Sequence, residues 1–191
     1  MTIRRWSVVI ASVVVAVLFR LASARAGLPN VEVITALSLG LAVYLRDPRF
    51  SVVPLVAVGL SDFVLGAGPV LAFTWSAWIV TALTATTLAR RIRRPRAGVS
   101  VLFALGSSTW FFVWTNVGVW LLGRGTFYDA GAGGLAASLT AGVPFYRNML
   151  LANLVLVPCA VAAFTHLRAY EWDLPRTPAL SAPGRTRLTA T

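Results

Sequence analysis

Few polar side chains in this chain could recognise a ligand, and those few fall at one depth. Asn30 and Glu32 stand at the start of the second apolar stretch, and Ser61 and Asp62 near the end of the third. Asn116 and Trp120 lie in the later half of the fifth, and Arg147, Asn148 and Asn153 at the start of the sixth. A chain threaded back and forth brings all of these toward one membrane face. In lipid such groups must turn to the bundle interior and find partners, so the cluster is either internal glue or a ligand site. Phe112, Asn116 and Trp120 are spaced four apart and line one helix face, with the amide between two rings. Asp62 and Arg147 carry opposite charge at similar depth and could pair. Small-molecule sites are aromatic-lined pockets with a few convergent polar groups. The candidate ligand-binding residues are therefore Asn30, Glu32, Asp62, Phe112, Asn116, Trp120, Arg147 and Asn148. The rival reading is an interhelical hydrogen-bond network plus an interfacial aromatic belt, which covers one or two such residues more readily than eight.

Catalysis has little to work with. The sequence holds no HExxH, CxxC, phosphate-binding GK[ST] loop or GxSxG, since Gly59-Leu60-Ser61-Asp62-Phe63 lacks the second glycine. The single histidine, His166, falls at the opposite membrane face from Asp62, so no Ser-His-Asp assembly is available. No catalytic residue, metal site or cofactor is expected. Without a phosphate loop, active transport would need an ATP-hydrolysing partner.

The elements that must position these residues are six apolar stretches, from Trp6 to Ala24, Val31 to Leu45, Val52 to Leu65, Val70 to Ala89, Val99 to Leu122 and about Met149 to Leu167. Spanning the ~30 Å hydrocarbon core takes about 20 apolar residues, which the second and third stretches fall short of. A re-entrant hairpin would leave their connector, Arg46-Asp47-Pro48-Arg49, at mid-membrane, where a charge costs ~2.5 kcal/mol or more. Two shortened spans shielded by neighbours cost less. The expected fold class is all-α, an integral membrane bundle of six transmembrane helices with both termini cytoplasmic, over residues 1–169. Residues 170–191, rich in Pro, Thr, Ala and Arg, read as a disordered cytoplasmic tail.

Composition agrees: the chain is 58% hydrophobic and 12% charged, which excludes an ordinary soluble domain. All 17 basic residues are arginine. In this topology thirteen arginines are inside and four, Arg20, Arg25, Arg124 and Arg147, outside, a strong positive-inside bias. The net charge of +11 then serves orientation and anionic lipid headgroups rather than nucleic acid. The expected location is the inner cell membrane. Arg4-Arg5, an apolar run and Ala22-Ser23-Ala24 resemble a cleavable signal peptide, but the long run and Arg20 favour a retained first helix.

Other residues have simpler readings. Trp75 and Trp78 look like interfacial anchors, Trp110 and Trp114 like packing between helices, and Cys159 like a small core residue. Gly131 to Phe145 is uncharged and small-residue-rich, either a cap over the outer face or the start of a long sixth helix bent near Pro144. Arg90 to Arg96 holds five arginines in seven residues. It reads as a topology anchor, or as a docking patch for a cytoplasmic partner through Arg91, Arg93 and Arg94.

One pattern runs through the chain in order: Pro29-Asn30, Ser61-Asp62-x-x-x-Gly66, Phe111-Phe112-x-x-x-Asn116-x-Gly118-Val119-Trp120, Gly134-Leu135 and Pro144-Phe145-x-Arg147-Asn148. It resembles an uncharacterised family of small bacterial membrane proteins, a domain of unknown function. That family is similar to the substrate-binding S components of energy-coupling-factor vitamin transporters. The chain departs from the pattern at Phe127-Tyr128-Asp129 and at Asn153, where an aspartate is expected. The resemblance implies a six-helix bundle with an outward-opening site for a vitamin-like small molecule, energised by a transmembrane coupling subunit with two ATPases. The competing expectation is a non-transporting membrane scaffold or assembly protein.

Overall fold

A computed structural model describes residues 3–66, 68–92 and 97–173, and the described chain is all-helical. Six α-helices follow in order: α1 (Ile3–Arg25), α2 (Ile34–Leu45), α3 (Pro54–Leu65), α4 (Leu71–Arg91), α5 (Ala97–Gly123) and α6 (Ala132–Asp173). A 3-10 turn, Pro48–Val52, leads into α3, and the described residues hold no strand beyond an isolated Arg124–Tyr128 bridge. The helices alternate in direction. Ring contact between Trp6 and Phe50 at one end, and an Arg20–Asp62 pair at the other, set α1 and α3 parallel. Arg4, Arg5, Arg46, Arg49, Arg90, Arg91 and Arg168 therefore gather at one end of the bundle, the arginine end. The opposite end, where α1, α3 and α5 finish, is the site end.

Among the described residues five helical segments are long and apolar enough to cross a membrane: Ile3–Arg25, Pro48–Leu65, Leu71–Arg91, Ala97–Gly123 and Ala132–Tyr170. Their outward faces carry Ile10, Leu18, Phe63, Leu102, Leu151 and Val155, an apolar exterior that only lipid solvates cheaply. This is a multi-pass membrane protein.

The second stretch forms a helix of a different kind. Ten of the 12 residues of α2 are buried, so it is apolar on every side because it is wrapped on every side. At 1.5 Å per residue it is about 18 Å long, against about 35 Å for α1. Lipid gives helices no hydrophobic reason to associate, so close approach of small side chains matters. The crossings around α2 accordingly bury Ala36, Gly40 and Ala42 of α2 and Ala77, Ala82 and Ala85 of α4. Beyond α2, Arg46 closes the helix at φ 52°, and Asp47 caps the 3-10 turn by accepting from the Arg49 backbone N–H at 3.1 Å. The Arg49 guanidinium bonds the same carboxylate at 2.7 Å, and this hydrogen bonding holds the Asp47 carboxyl below its usual range. Ser51 hydrogen-bonds Thr86 and tethers the turn to α4.

Gly131 to Phe145 belongs to α6, which runs unbroken through Pro144 and Pro158 for 42 residues. Each proline removes one backbone bond, a loss that a helix packed among others tolerates. The helix also continues through Tyr170 to Asp173, past the expected start of the tail; residues 174–191 lie outside the described residues, as do Arg93 and Arg94. Cys159 faces outward rather than into the core.

Candidate ligand-binding site

Because α2 is half the length of α1, the bundle centre is hollow above its N-terminus. The chamber there has a volume of about 330 Å³. Arg20, Ser23 and Ala24 of α1 form one wall; Leu65, Thr74, Trp78, Phe111, Thr115 and Met149 come from α3, α4, α5 and α6. The floor is the loop Leu28 to Glu32, which drops from the end of α1 into the bundle. Asn30 turns that loop at φ 61°, a left-handed conformation that asparagine accepts more readily than most residues. The side-chain amide of Asn148 pins it by donating to the Pro29 carbonyl at 3.3 Å.

Two polar networks border the chamber. In the wall, Arg20 Nη2 donates to Asp62 Oδ1 at 2.6 Å and Arg20 Nε to Ser61 Oγ at 2.6 Å. Trp75 Nε1 donates to the second Asp62 oxygen at 3.1 Å. In the floor, Glu32 is 4% exposed. Its Oε2 accepts the Thr35 backbone N–H at 3.0 Å, and its Oε1 accepts from Asn153 Nδ2 at 2.8 Å. Asn153 also donates to Ser108 Oγ at 3.1 Å, joining α2, α5 and α6.

The structure divides the expected residues. Asn30 and Glu32 line the chamber, Asp62 braces its wall, and Asn148 fixes its floor. Phe112, Asn116 and Trp120 share a face as expected, but that face is turned into the α5–α6 seam. Phe112 stacks on Tyr146 at 4.7 Å, and Ser138 donates to the Asn116 backbone carbonyl at 2.9 Å. A side chain at Gly142 would collide with the Asn116 amide. Trp120 donates to the Asp129 carbonyl at 2.9 Å and ties down the α5–α6 loop. The reason is register: the neighbouring α5 face, Phe111 and Thr115, is the one directed at the chamber. Arg147 is exposed on α6 and forms no ion pair with Asp62; Arg20 takes that place.

Three participants were read differently from the sequence. Arg20, counted from the sequence only among the outer arginines, takes Asp62 as its partner, as a charge within an apolar stretch demands. Trp75 and Trp78 are not belt anchors. Trp75 holds Asp62, and Trp78, only 2% exposed, packs on Phe111 at 4.6 Å.

The model of a family of unknown function, DUF6580, matches residues 1–177. The chain belongs to that family. No curated protein and no solved structure matches the chain. For DUF6580 this site then stands on its own geometry: a chamber of molecular size, with an aromatic wall, a charged brace and a buried carboxylate. Among the described residues no group of His, Cys, Asp and Glu is arranged to hold a metal ion.

Proposed function

We propose that this protein is the membrane-embedded binding subunit of a small-molecule uptake transporter, S-component-like and energised by separate subunits. The observation that carries the reading is the chamber over α2: about 330 Å³, lined by side chains of five helices and the Leu28 to Glu32 loop. Cavities of ~300–1,000 Å³ with few polar groups suit a vitamin-sized or micronutrient-sized ligand. The motifs shared with the S-component-like pattern support the same reading. In this proposal the helices make six crossings, with α2 shielded from lipid by its neighbours and both termini in the cytoplasm. The chamber faces outward, and the arginine end faces the cytoplasm and its anionic headgroups. Arg91, with Arg93 and Arg94 of the same run, would meet a transmembrane coupling subunit carrying ATPases.

The scaffold reading draws on the α5–α6 seam, where Phe112, Asn116 and Trp120 act as glue. Native mass spectrometry of gently extracted protein separates the two. Transport predicts a retained small molecule, lost in Trp78→Ala, and co-isolation of an ATPase-bearing partner. An empty chamber together with co-purification of an envelope complex would sink it.

A further inference from the structure

We infer that the chamber takes a small organic cation, a protonated or quaternary ammonium compound, seated against Glu32 beneath the Trp78 and Phe111 rings. The inference rests on the reading of the chamber as a ligand site and adds the ligand's chemistry. It follows from the charges around the cavity.

Among the described residues Arg20 is the one cation in the lining, and it is already committed to Asp62 at 2.6 Å. That pair is neutral as a unit and braces the wall. Glu32 has no such counterpart. It lines the chamber at 4% exposure and forms no ion pair among the described residues. Both its oxygens accept N–H groups, from Thr35 at 3.0 Å and Asn153 at 2.8 Å. The Thr35 donor is backbone and cannot turn round. A carboxylate is acceptor-only, so a cation that pairs with Glu32 leaves both of these N–H bonds in place. The position at the head of α2 adds the positive end of the helix dipole, which favours the anionic form. These donors hold the charge without cancelling it. Desolvation opposes a lone charge here, so an ionised Glu32 needs a positive partner; the described lining supplies none, and the ligand must bring it.

The wall supplies the rest of a cation site. Trp78 and Phe111, 2% and 7% exposed, present rings whose centroids are 4.6 Å apart. Aromatic faces attract cations within ~6 Å of the ring centroid, tryptophan most strongly, and desolvation strengthens the attraction. Thr74 and Thr115 add hydroxyl acceptors beside them. A carboxylate below, rings at the side and no free cation among the described lining residues select against anionic ligands.

The test uses the full chain in detergent and four probes, three of them of matched shape and one a bulkier aromatic cation. These are choline, benzyltrimethylammonium, the neutral alcohol in which carbon replaces the choline nitrogen, and the corresponding carboxylate. Equilibrium dialysis should show both cations binding about tenfold or more tighter than the neutral alcohol, and the carboxylate weakest. Glu32→Gln keeps the shape and one acceptor; it should bring choline and the neutral alcohol to equal affinity, abolishing the preference for cations. Should Glu32→Gln fold poorly, Trp78→Phe keeps a ring of weaker cation affinity and should narrow the preference. Neutral or anionic probes binding as well as the cations would overturn the cation assignment while keeping the chamber as a ligand site. Binding of no probe at ~10 mM, far above ordinary site affinities, together with no retained molecule in mass spectrometry, would overturn both.

Discussion

Arg20 and Asp62, forty-two positions apart, meet at 2.6 Å and join α1 to α3 beside the chamber. Their side chains are 17% and 16% exposed, so each would be a largely desolvated charge without the other. Removing one partner of a buried pair costs ~3–5 kcal/mol in soluble proteins, chiefly because the other charge is stranded. Arg20→Ala should accordingly lower the unfolding temperature in detergent markedly, whereas the double change Arg20→Leu with Asp62→Leu should recover much of the loss. Arg147→Ala, on an exposed position, should stay within about 0.5 kcal/mol of the parent. Equal effects of Arg20→Ala and Arg147→Ala would contradict the pairing.

The α5–α6 seam predicts a folding defect with no binding defect. Gly142 faces the Asn116 amide so closely that a methyl group does not fit. Gly142→Val should destabilise by about 1–3 kcal/mol, the usual cost of overpacking. Size-exclusion profiles after heating would read it directly. Survival of Gly142→Val at the parent's temperature would mean the two helices do not pack in this register.

Chamber and seam residues should separate in binding. Trp78→Ala removes a ring that lines the chamber, and central aromatics commonly contribute ~2 kcal/mol or more, about thirtyfold in affinity. Trp120→Ala only releases the loop carbonyl of Asp129 and should leave affinity for the retained molecule within about twofold. The opposite order, measured by dialysis, would move the site to the α5–α6 loop.

Orientation is checked by labelling single cysteines in a Cys159→Ala background. Gly68→Cys, in the α3–α4 connection, should react with an impermeant maleimide from outside. Pro95→Cys, in the arginine run, should react only once the membrane is opened. Labelling of both from one side would remove the six-crossing topology, since α4 separates the two positions.

The sequence by itself determined that this chain is a helical membrane protein with a polar cluster toward one face. Runs such as Trp6 to Ala24 and Val99 to Leu122 are long enough to leave no other solvent for them, and hydropathy is a local property. It also singled out Asn30, Glu32 and Asp62, because a polar side chain in an apolar run must be used. Only the tertiary structure decided how they are used. Spacing by four placed Phe112, Asn116 and Trp120 on one face without saying which neighbour that face meets; the rotation of α5 against α6 gave that face to the seam and Phe111 and Thr115 to the chamber. Depth alone left Asp62 a choice between Arg147 and Arg20, and the parallel packing of α1 on α3 settled it. The chamber itself comes from a length difference between α1 and α2 that matters only once the other helices wrap α2, since a cavity is a relation between elements and belongs to no single stretch of sequence.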